Sequence, residues 1–332
     1  MSSFAETAPT GARNDVQATR HAGIVGLGAA LPEETIPNAA IAARLDLGPE
    51  WIEKRTGIRN RRRAAPGQSL VDLAAQAGRA ALADAGMDPA AIDTVLVATL
   101  SADEVTPNTA PQVAYALGAE RAGAMDIGAA CTGFVAGLTV GAGLVEARRA
   151  ENVLVIGAEI LSRHTDYDDR STAALFGDGA GAVVLAANAA GAVGSSVLGS
   201  DGSAAAYIKA PRATGLIGMD GHETFKRAVA TLASNALEAL DANGLTRDDI
   251  DLFVFHQANG RITSAVADAL EVDPSRVVDA IGEIGNTSAA SIPLALSEAH
   301  GQGRLGAGDR VLLGAVGAGF TWGATVVTWG AA

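Results

Sequence analysis

The sequence is poor in cysteine, in aromatic residues and in positive charge. Its 332 residues include one cysteine, which excludes a disulfide framework and a cysteine-rich metal site and suits a reducing compartment. Aromatic residues make up only 4%, so the core must be built from Ala, Val, Leu and Ile, with 40 glycines allowing close backbone packing. With 24 basic and 37 acidic residues, the net charge is −13, which argues against non-specific nucleic-acid binding.

Long apolar segments are also missing. No apolar run of ~18 or more uncharged residues stands out as a membrane-spanning helix, so no membrane association is predicted. Residues 1–20 lack the apolar stretch of a secretory signal peptide, and we interpret them as a mobile tail on a cytoplasmic protein. The five histidines show no HExxH motif and no clustered spacing, so no metal site is predicted.

The sequence contains an internal repeat. The apolar run from Ile92 (IDTVLVAT) predicts a strand buried on both faces, and a similar run starts at Ile250 (IDLFVFHQ), 250 − 92 = 158 residues later. Further along, IGAACTGFVAGL from Ile127 matches IGNTSAASIPLAL from Ile284, at an offset of 284 − 127 = 157. Because these matches stay in register, we predict a duplicated α/β unit whose two halves pack as one body.

We place the two halves at residues 21–190 and 191–332, with the junction in the Gly/Ala/Ser-rich passage 186–203. In α/β proteins, ligands bind where strand ends and helix starts meet at a crevice. A shared crevice between the two halves is therefore the predicted site.

The single cysteine, Cys131, lies in the segment MDIGAACTGF. We predict a short buried strand, a turn of small residues and then a helix whose small apolar residues indicate packing on several sides. A helix N-terminus favours the thiolate, because unpaired N–H groups and the helix dipole stabilise negative charge. A lone cysteine is also commonly buried and unreactive, and for Cys131 by itself that alternative stays open.

Two candidate residues come from the second half. His256 follows the predicted strand LFVF, and Asn286 lies in GNTSAAS, the counterpart of the Cys131 segment. Each alone fits a structural role, as a buried histidine or as a helix cap. Their positions in the repeat place both residues with Cys131 at the predicted crevice.

This combination of residue types supports two chemistries. In a thioester hydrolase, His256 would take the thiol proton and later activate water. In acyl transfer to carbon, Cys131 carries the acyl group while His256 and Asn286 donate hydrogen bonds to an enolate oxygen. The amide of Asn286 cannot act as a base, which favours the second chemistry without excluding the first.

Six motifs occur in order between His21 and Trp329: WIEKRTGI, DIGAACTGF, FGDGAGA, HQANGRI, GNTSAASIP and GAGFTWG. In this combination the chain resembles β-ketoacyl-acyl carrier protein synthase III, a family of the thiolase-like superfamily. The resemblance implies a five-layered αβαβα fold and a homodimer. It also implies a decarboxylating Claisen condensation of an acyl-CoA primer with malonyl-acyl carrier protein, which starts type II fatty-acid synthesis. Coenzyme A is then part of a substrate, and no cofactor is expected.

The resemblance further implies individual roles. Cys131 is the acylated nucleophile, His256 and Asn286 promote decarboxylation, and the backbone N–H groups of Cys131 and Ala318 stabilise the oxyanion. The implied coenzyme A site consists of Trp51, Arg55, Thr56 and Arg170. The implied carrier-protein site consists of Gln257, Ala258, Asn259, Gly260, Arg261 and Lys226.

Three positions depart from the common family pattern. Ala318 stands where glycine is usual, and alanine disfavours positive φ. His222 replaces an asparagine near the pantetheine channel. Thr106 stands where some members carry an aromatic residue that narrows the partner subunit's acyl pocket, so longer or branched primers are predicted. The alternative within the superfamily is a priming ketosynthase or acyltransferase of polyketide or other secondary metabolism.

Overall fold

The computed structural model describes residues 20–330. Arg20, which we had assigned to the mobile tail, belongs to the folded part. Its guanidinium donates hydrogen bonds to the carbonyl oxygens of Val145 (2.7 Å) and Ala150 (3.0 Å) and pairs with Glu151 at 2.7 Å. The rest of the predicted tail lies outside the described residues.

The strands and helices are numbered in chain order. The strands are β1 (Ala22–Ala30), β2 (Glu34–Pro37), β3 (Asn60–Arg63), β4 (Thr94–Ala98), β5 (Gly123–Ile127), β6 (Asn152–Ile160), β7 (Asp178–Ala187), β8 (Ala192–Ser200), β9 (Ile208–Lys209), β10 (Gly218–Met219), β11 (Leu252–Phe255), β12 (Arg310–Gly317) and β13 (Thr321–Thr328). The helices are α1 (Asn38–Leu45), α2 (Pro49–Thr56), α3 (Leu70–Asp84), α4 (Thr109–Leu117), α5 (Gly133–Glu146), α6 (Gly221–Ala242), α7 (Gly260–Leu270), α8 (Ile281–Ile284) and α9 (Ser291–Gly301).

Two mixed sheets form the centre of the molecule. The first has the strand order β1-β7-β6-β4-β5, and the second has the order β11-β12-β13-β8. In the first sheet, β4 pairs in parallel with β5 and β6, while β7 is antiparallel to β1 and β6. In the second, β11 and β12 are parallel, and β13 is antiparallel to β12 and β8.

The two sheets are related by the predicted repeat. β11 begins 252 − 94 = 158 residues after β4, and β12 begins 310 − 152 = 158 residues after β6. The counterpart of β5 is reduced to one bridge, between Phe253 and Val277. The halves therefore share a strand order, and the second half lacks only a full outer strand.

The segments containing Cys131 and Asn286 obey the same offset. A short 3₁₀ turn, Ala130–Thr132, precedes α5, and the turn Ser288–Ala290 precedes α9, at 288 − 130 = 158. The first residues of the two turns have nearly the same left-handed backbone, with φ of 46° at Ala130 and 45° at Ser288. Our offset of 157 for this segment was wrong by one residue, because the match of IG with IG ignored the turn geometry.

Three layers of helices alternate with the two sheets. α3 and α4 cover the outer face of the first sheet, and α6 and α7 cover the outer face of the second. α5 and α9 lie between the sheets, where Phe134 and Leu294 join a core with Val155 and Val254. This is the predicted five-layered αβαβα architecture, and it confirms that the helix after Cys131 is packed on several sides.

One local prediction was wrong. β5, expected to be buried, is the outermost strand of its sheet, and the side chain of Met125 is 45% exposed. The passage 186–203, predicted as the junction, holds the end of β7 in the first sheet and all of β8 in the second, where β8 pairs with β13. Apolar composition did not reveal which strand lies at a sheet edge, and Gly/Ser-rich residues can still form a strand when a neighbour supplies its hydrogen bonds.

A substitution at Gly157 on β6 tests the tight contact between the two halves. A Cβ at this position would lie 2.2 Å from the carbonyl oxygen of Ala289, so Gly157→Ala must push the turn Ser288–Ala290 away. We expect urea denaturation to show a loss of ~1–3 kcal/mol in unfolding free energy, the range for overpacking. The control is Gly143→Ala on the exposed side of α5, where a Cβ meets nothing within 4 Å. Equal stability of the two variants would contradict this contact.

Candidate active site

The crevice between the two halves contains a cavity of about 530 Å³. Cys131 lines it from the first half, and His256 and Asn286 line it from the second. The three residues come from places that are up to 155 positions apart (286 − 131). The structure therefore brings together the three side chains that the sequence singled out.

Cys131 is half-buried in the turn Ala130–Thr132, directly before α5. Gly317, the last residue of β12, packs against it: a Cβ there would lie 2.9 Å from the Cys131 backbone nitrogen. Within residues 20–330, the N–H groups of Cys131 and Ala318 donate to no backbone carbonyl outside a regular helix or strand. Both donors remain available to an oxyanion in the cavity.

The alanine at position 318 does not strain its loop. Ala318 is not among the described residues with positive φ, and the left-handed conformation falls on Gly319, with φ of 138°. The departure from glycine at this position therefore leaves the backbone donor in place without a conformational penalty.

His256 follows β11 and is only 3% exposed. Its backbone N–H donates to the Gly314 carbonyl at 2.8 Å, and its Nδ1 lies 2.6 Å from the Ser291 hydroxyl oxygen. That oxygen also receives the N–H of Gln257 at 3.4 Å, so we assign the hydroxyl proton to the bond with Nδ1. The imidazole proton is then on Nε2. Burial lowers the pKa of His256 to about 3, so the ring is neutral at pH 7.

Asn286 is held by both its backbone and its side chain. Its N–H donates to Leu175 O at 2.8 Å, and its carbonyl accepts from Gly177 N at 3.0 Å. The side-chain oxygen accepts the N–H of Ser288 at 2.9 Å, which fixes the orientation of the amide. Its Nδ2 makes no hydrogen bond within the described part of the chain and remains a free donor.

The predicted coenzyme A residues lie around the same cavity. Trp51, Arg55, Thr56 and Arg170 all line it, and the Arg55 guanidinium lies 5.2 Å from the centre of the Trp51 ring. The hydroxyl of Thr56 donates to Ile52 O at 2.7 Å and accepts the N–H of Ile58 at 3.0 Å. It is therefore committed to the end of α2, so Thr56 can contribute shape but not a hydroxyl donor.

The predicted carrier-protein segment divides into three parts. Ala258, Asn259 and Arg261 line the cavity, with the Arg261 guanidinium 5.7 Å from the Phe225 ring centre. Gly260 begins α7 and packs against the backbone of α2. The prediction that Gln257 contacts the carrier protein at the surface is wrong. The residue is only 1% exposed, and its side-chain amide forms hydrogen bonds with backbone groups inside the protein.

The remaining predicted residues lie outside the cavity lining. Lys226 is exposed on α6 and pairs with Glu223 at 3.5 Å. His222 is exposed at the start of the same helix, between the cavity-lining residues Gly221 and Thr224, and does not itself line the cavity. Thr106 lies in the exposed loop 102–108 and does not line the cavity of its own chain.

Sequence reasoning missed three residues around the active site. Ser291 contacts His256, and Ser288 lines the cavity beside Cys131. Glu159 is fully buried at the end of β6, where burial raises the pKa of its carboxyl to about 7. A single acidic residue in the apolar strand NVLVIGAEI was a signal for Glu159. The two serines stood inside the motif that identified Asn286.

The prediction that Cys131 is a thiolate was wrong for the resting site. Burial raises the pKa of the Cys131 thiol to about 11, and although contact with Ser288 lowers it, the charge of Glu159 raises it further. Desolvation in the crevice thus outweighs the hydrogen bonds that favour the thiolate. The thiol must transfer its proton before it can attack a thioester.

Residues 20–330 contain neither a metal-binding cluster nor a membrane-spanning helix. No group of three or more His, Cys, Asp or Glu side chains there is arranged to hold a metal ion. None of the helices in the same range is long and apolar enough to cross a membrane.

Comparison with known proteins places the chain in a family. The family model "3-Oxoacyl-[acyl-carrier-protein (ACP)] synthase III" matches residues 125–202, and the model of its C-terminal part matches 240–329. The chain is 46% identical over 312 residues to β-ketoacyl-[acyl-carrier-protein] synthase III 2 of Streptomyces coelicolor, covering 93% of this chain and 94% of that protein. The chain belongs to the β-ketoacyl-[acyl-carrier-protein] synthase III family. It is thus a condensing enzyme of the acyltransferase class.

Solved structures support the same assignment. The 3-oxoacyl-[acyl-carrier-protein] synthase III of Aquifex aeolicus VF5 superposes with a TM-score of 0.91 at 39% identity, covering 93% of this chain and 100% of that one. A priming β-ketosynthase from the R1128 polyketide biosynthetic pathway superposes with a TM-score of 0.89 at 35% identity, covering 96% and 99% of the two chains. The thiolase-like fold implied by the motifs is therefore confirmed.

The buried neutral His256 predicts a pH dependence of stability. The unfolded chain binds a proton at this residue near the ordinary histidine pKa of 6.5, but the folded chain does so only near pH 3. Stability that is fully present above pH 6.5 is therefore lost as the pH falls, by at most ~1.4 kcal/mol per pH unit. In urea denaturation between pH 7 and 4.5, His256→Gln should lose less stability than the wild type. Parallel curves would contradict a neutral buried ring.

Proposed function

We propose that this chain condenses an acyl-CoA primer with malonyl-acyl carrier protein, forming 3-oxoacyl-acyl carrier protein, CO₂ and coenzyme A. The observation that carries this proposal is the convergence of Cys131, His256 and Asn286 on one cavity. Both second-half side chains have one polar atom fixed by the protein, so that each can present an N–H group to a ligand. The names of the relatives support acyl carrier protein as the partner.

The first half-reaction acylates Cys131. Its thiolate attacks the thioester carbonyl of acyl-CoA, and coenzyme A leaves. The N–H groups of Cys131 and Ala318 donate to the oxyanion of the tetrahedral intermediate. Trp51 and Arg170 line the cavity, which supports our assignment of the nucleotide end of the substrate to these residues.

The second half-reaction forms the carbon–carbon bond. When the malonyl group loses CO₂, negative charge develops on its thioester oxygen as an enolate. His256 Nε2–H and Asn286 Nδ2–H donate hydrogen bonds to that oxygen. The enolate carbon then attacks the Cys131 thioester and expels the thiolate. A neutral imidazole suits this role because it donates a hydrogen bond without needing to release its proton.

Hydrolysis is disfavoured by the same geometry. A hydrolase needs His256 to accept a proton from water, but burial lowers its pKa to about 3 and makes it a weak base. Its Nδ1 is also occupied by Ser291 at 2.6 Å. The site therefore stabilises an enolate better than it activates water.

A priming ketosynthase of polyketide synthesis is the second candidate. The observation in its favour is the 35% identity to the R1128 priming β-ketosynthase over 96% of this chain. Identity to the Streptomyces coelicolor synthase III is higher, at 46%. We therefore favour the initiation of fatty-acid synthesis, in the cytoplasm.

A homodimer fits the exposed edge of the first sheet. β5 is paired on one side only, and unpaired edge strands invite pairing with a second copy. The N–H groups of Thr109 and Ala110 bond the Asp126 carboxylate of β5, so the loop before α4 lies beside this edge. Three exposed apolar residues belong to the same region: Val105, Tyr115 and Met125. Pairing of two β5 strands would cover this surface.

Labelling with radioactive acyl-CoA tests the division of roles. Cys131→Ala should abolish covalent labelling, because the chain has no other cysteine. His256→Ala and Asn286→Ala should still become labelled, while CO₂ release from malonyl-acyl carrier protein falls by on the order of 10²–10³-fold, the effect of losing one such donor.

The products separate the alternatives. Condensation with CO₂ supports the proposal, acyl transfer without CO₂ supports an acyltransferase of secondary metabolism, and free acid alone supports a hydrolase. Covalent labelling of Cys131→Ala would show that the nucleophile is misassigned.

Thr106 offers a test of primer selection and of the dimer together. If loop 102–108 reaches the partner subunit's acyl pocket, Thr106→Phe should narrow that pocket. We expect the rate with long or branched primers, relative to acetyl-CoA, to fall by ~10-fold or more, as for other changes in hydrophobic pockets. Thr106→Ser is the matched control, and sedimentation should show a dimer for both variants. An unchanged primer profile would rule out this role.

A further inference from the structure

A buried carboxyl that has no role in the two half-reactions as described above lies close to the nucleophile. Glu159 is 0% exposed at the end of β6. Its Oε2 accepts the hydroxyl of Ser101 at 2.5 Å and that of Thr99 at 3.1 Å, and the N–H of Leu100 lies within 3.3 Å of both carboxyl oxygens. Such a set of donors holds the carboxyl in one place inside the protein.

The repeat explains why Glu159 lies at this place. Its counterpart in the second half is Gly317 (317 − 159 = 158), which packs against the backbone of Cys131. Each half thus places one turn over a strand of the other half: Ala130–Thr132 over β12, and Ser288–Ala290 over β6. Glu159 consequently lies below the turn that carries Ser288.

Ser288 lies between the carboxyl and the thiol. Its side chain is 1% exposed and lines the cavity beside Cys131. Its hydroxyl has no hydrogen-bond partner of full geometry in the described chain, yet its contacts lower the pKa of both Cys131 and Glu159. An unsatisfied buried hydroxyl between two titratable groups is suited to passing a proton.

The reaction requires a proton acceptor that the three main residues do not provide. The thiol of Cys131 has a pKa of about 11, so little thiolate is present at pH 7. His256, with a pKa of about 3, is too weak a base, and Asn286 has no basic atom. The pKa of Glu159, about 7, lies where a general base works best at neutral pH.

We propose that Glu159 accepts the Cys131 proton through the Ser288 hydroxyl and holds it for the lifetime of the acyl-enzyme. The S–H bond breaks as its proton moves to the Ser288 oxygen, and the serine's own proton moves to the Glu159 carboxylate. The thiolate attacks the thioester, and the departing coenzyme A thiolate takes a proton from solvent. When condensation expels the Cys131 thiolate, Glu159 returns its proton by the same route.

This cycle balances charge as well as protons. Glu159 and Cys131 share one negative charge, because two neighbouring buried anions would repel each other. While Cys131 is acylated, Glu159 is neutral and adds no charge beside the incoming malonyl carboxylate. Over a full turnover, one proton is taken from solvent, as the loss of CO₂ from a malonyl anion requires.

Alkylation of the single cysteine tests the relay without any substrate. The inferred relay rests on the proposed function, but iodoacetamide labelling reports only the reactivity of Cys131. Failure of the relay can therefore be distinguished from failure of the proposed function. In the wild type, we expect the alkylation rate to rise with an inflection near pH 7 and then to level off up to about pH 9, following the ionisation of Glu159. Glu159→Gln should lose this inflection, and its rate at pH 8 should fall by on the order of 10-fold or more.

Two matched variants separate the relay from structural damage. Glu159→Asp keeps a carboxyl and should keep an inflection. Asp178→Asn removes another fully buried carboxyl, on the neighbouring β7, that is bonded to Ser162, and it should leave the wild-type profile unchanged. Ser288→Ala should reproduce the loss seen in Glu159→Gln, and it carries the test if the glutamine variant does not fold.

Some results of the alkylation experiment would contradict the relay. The charge of Glu159 raises the pKa of Cys131, so a purely electrostatic role predicts faster alkylation in Glu159→Gln at pH 8. Faster labelling, or an inflection that survives in both Glu159→Gln and Ser288→Ala, would overturn the relay. The condensation assay would still decide the proposed function.

Discussion

The site depends on a reciprocal backbone contact between the two halves. The turn Ser288–Ala290 rests on β6 because Gly157 leaves room for the Ala289 carbonyl, 2.2 Å from where a Cβ would be. The turn Ala130–Thr132 rests on β12 because Gly317 leaves room for the Cys131 nitrogen. Each half therefore needs the other to support its own turn, and neither half can form the crevice alone.

The same burial that assembles the site also sets its chemistry. Removal from water raises the pKa of Cys131 to about 11 and lowers that of His256 to about 3. A neutral histidine with a fixed Nδ1 donates a hydrogen bond well and accepts a proton poorly. The crevice is therefore suited to stabilising an enolate, and the activation of the thiol requires a further group.

The two halves carry different residues at equivalent positions, and these differences give the site its chemistry. Cys131 corresponds to Ala289 (289 − 131 = 158), and Glu159 corresponds to Gly317. One half supplies the nucleophile and a buried carboxyl, while the other supplies the histidine and the amide. The duplicated fold provides a common frame, and the substitutions within it divide the work.

The sequence by itself determined the repeat, the small-residue helix after Cys131 and the three residues that meet in the cavity. Periodicity and register show these features because they depend on local pattern along the chain. Only the tertiary structure decided that β5 lies at a sheet edge, that Gln257 faces inward and that Cys131 rests as a thiol. These properties depend on which groups exclude water around a residue, and the groups at Cys131, including Ser288 and Gly317, come from distant parts of the chain.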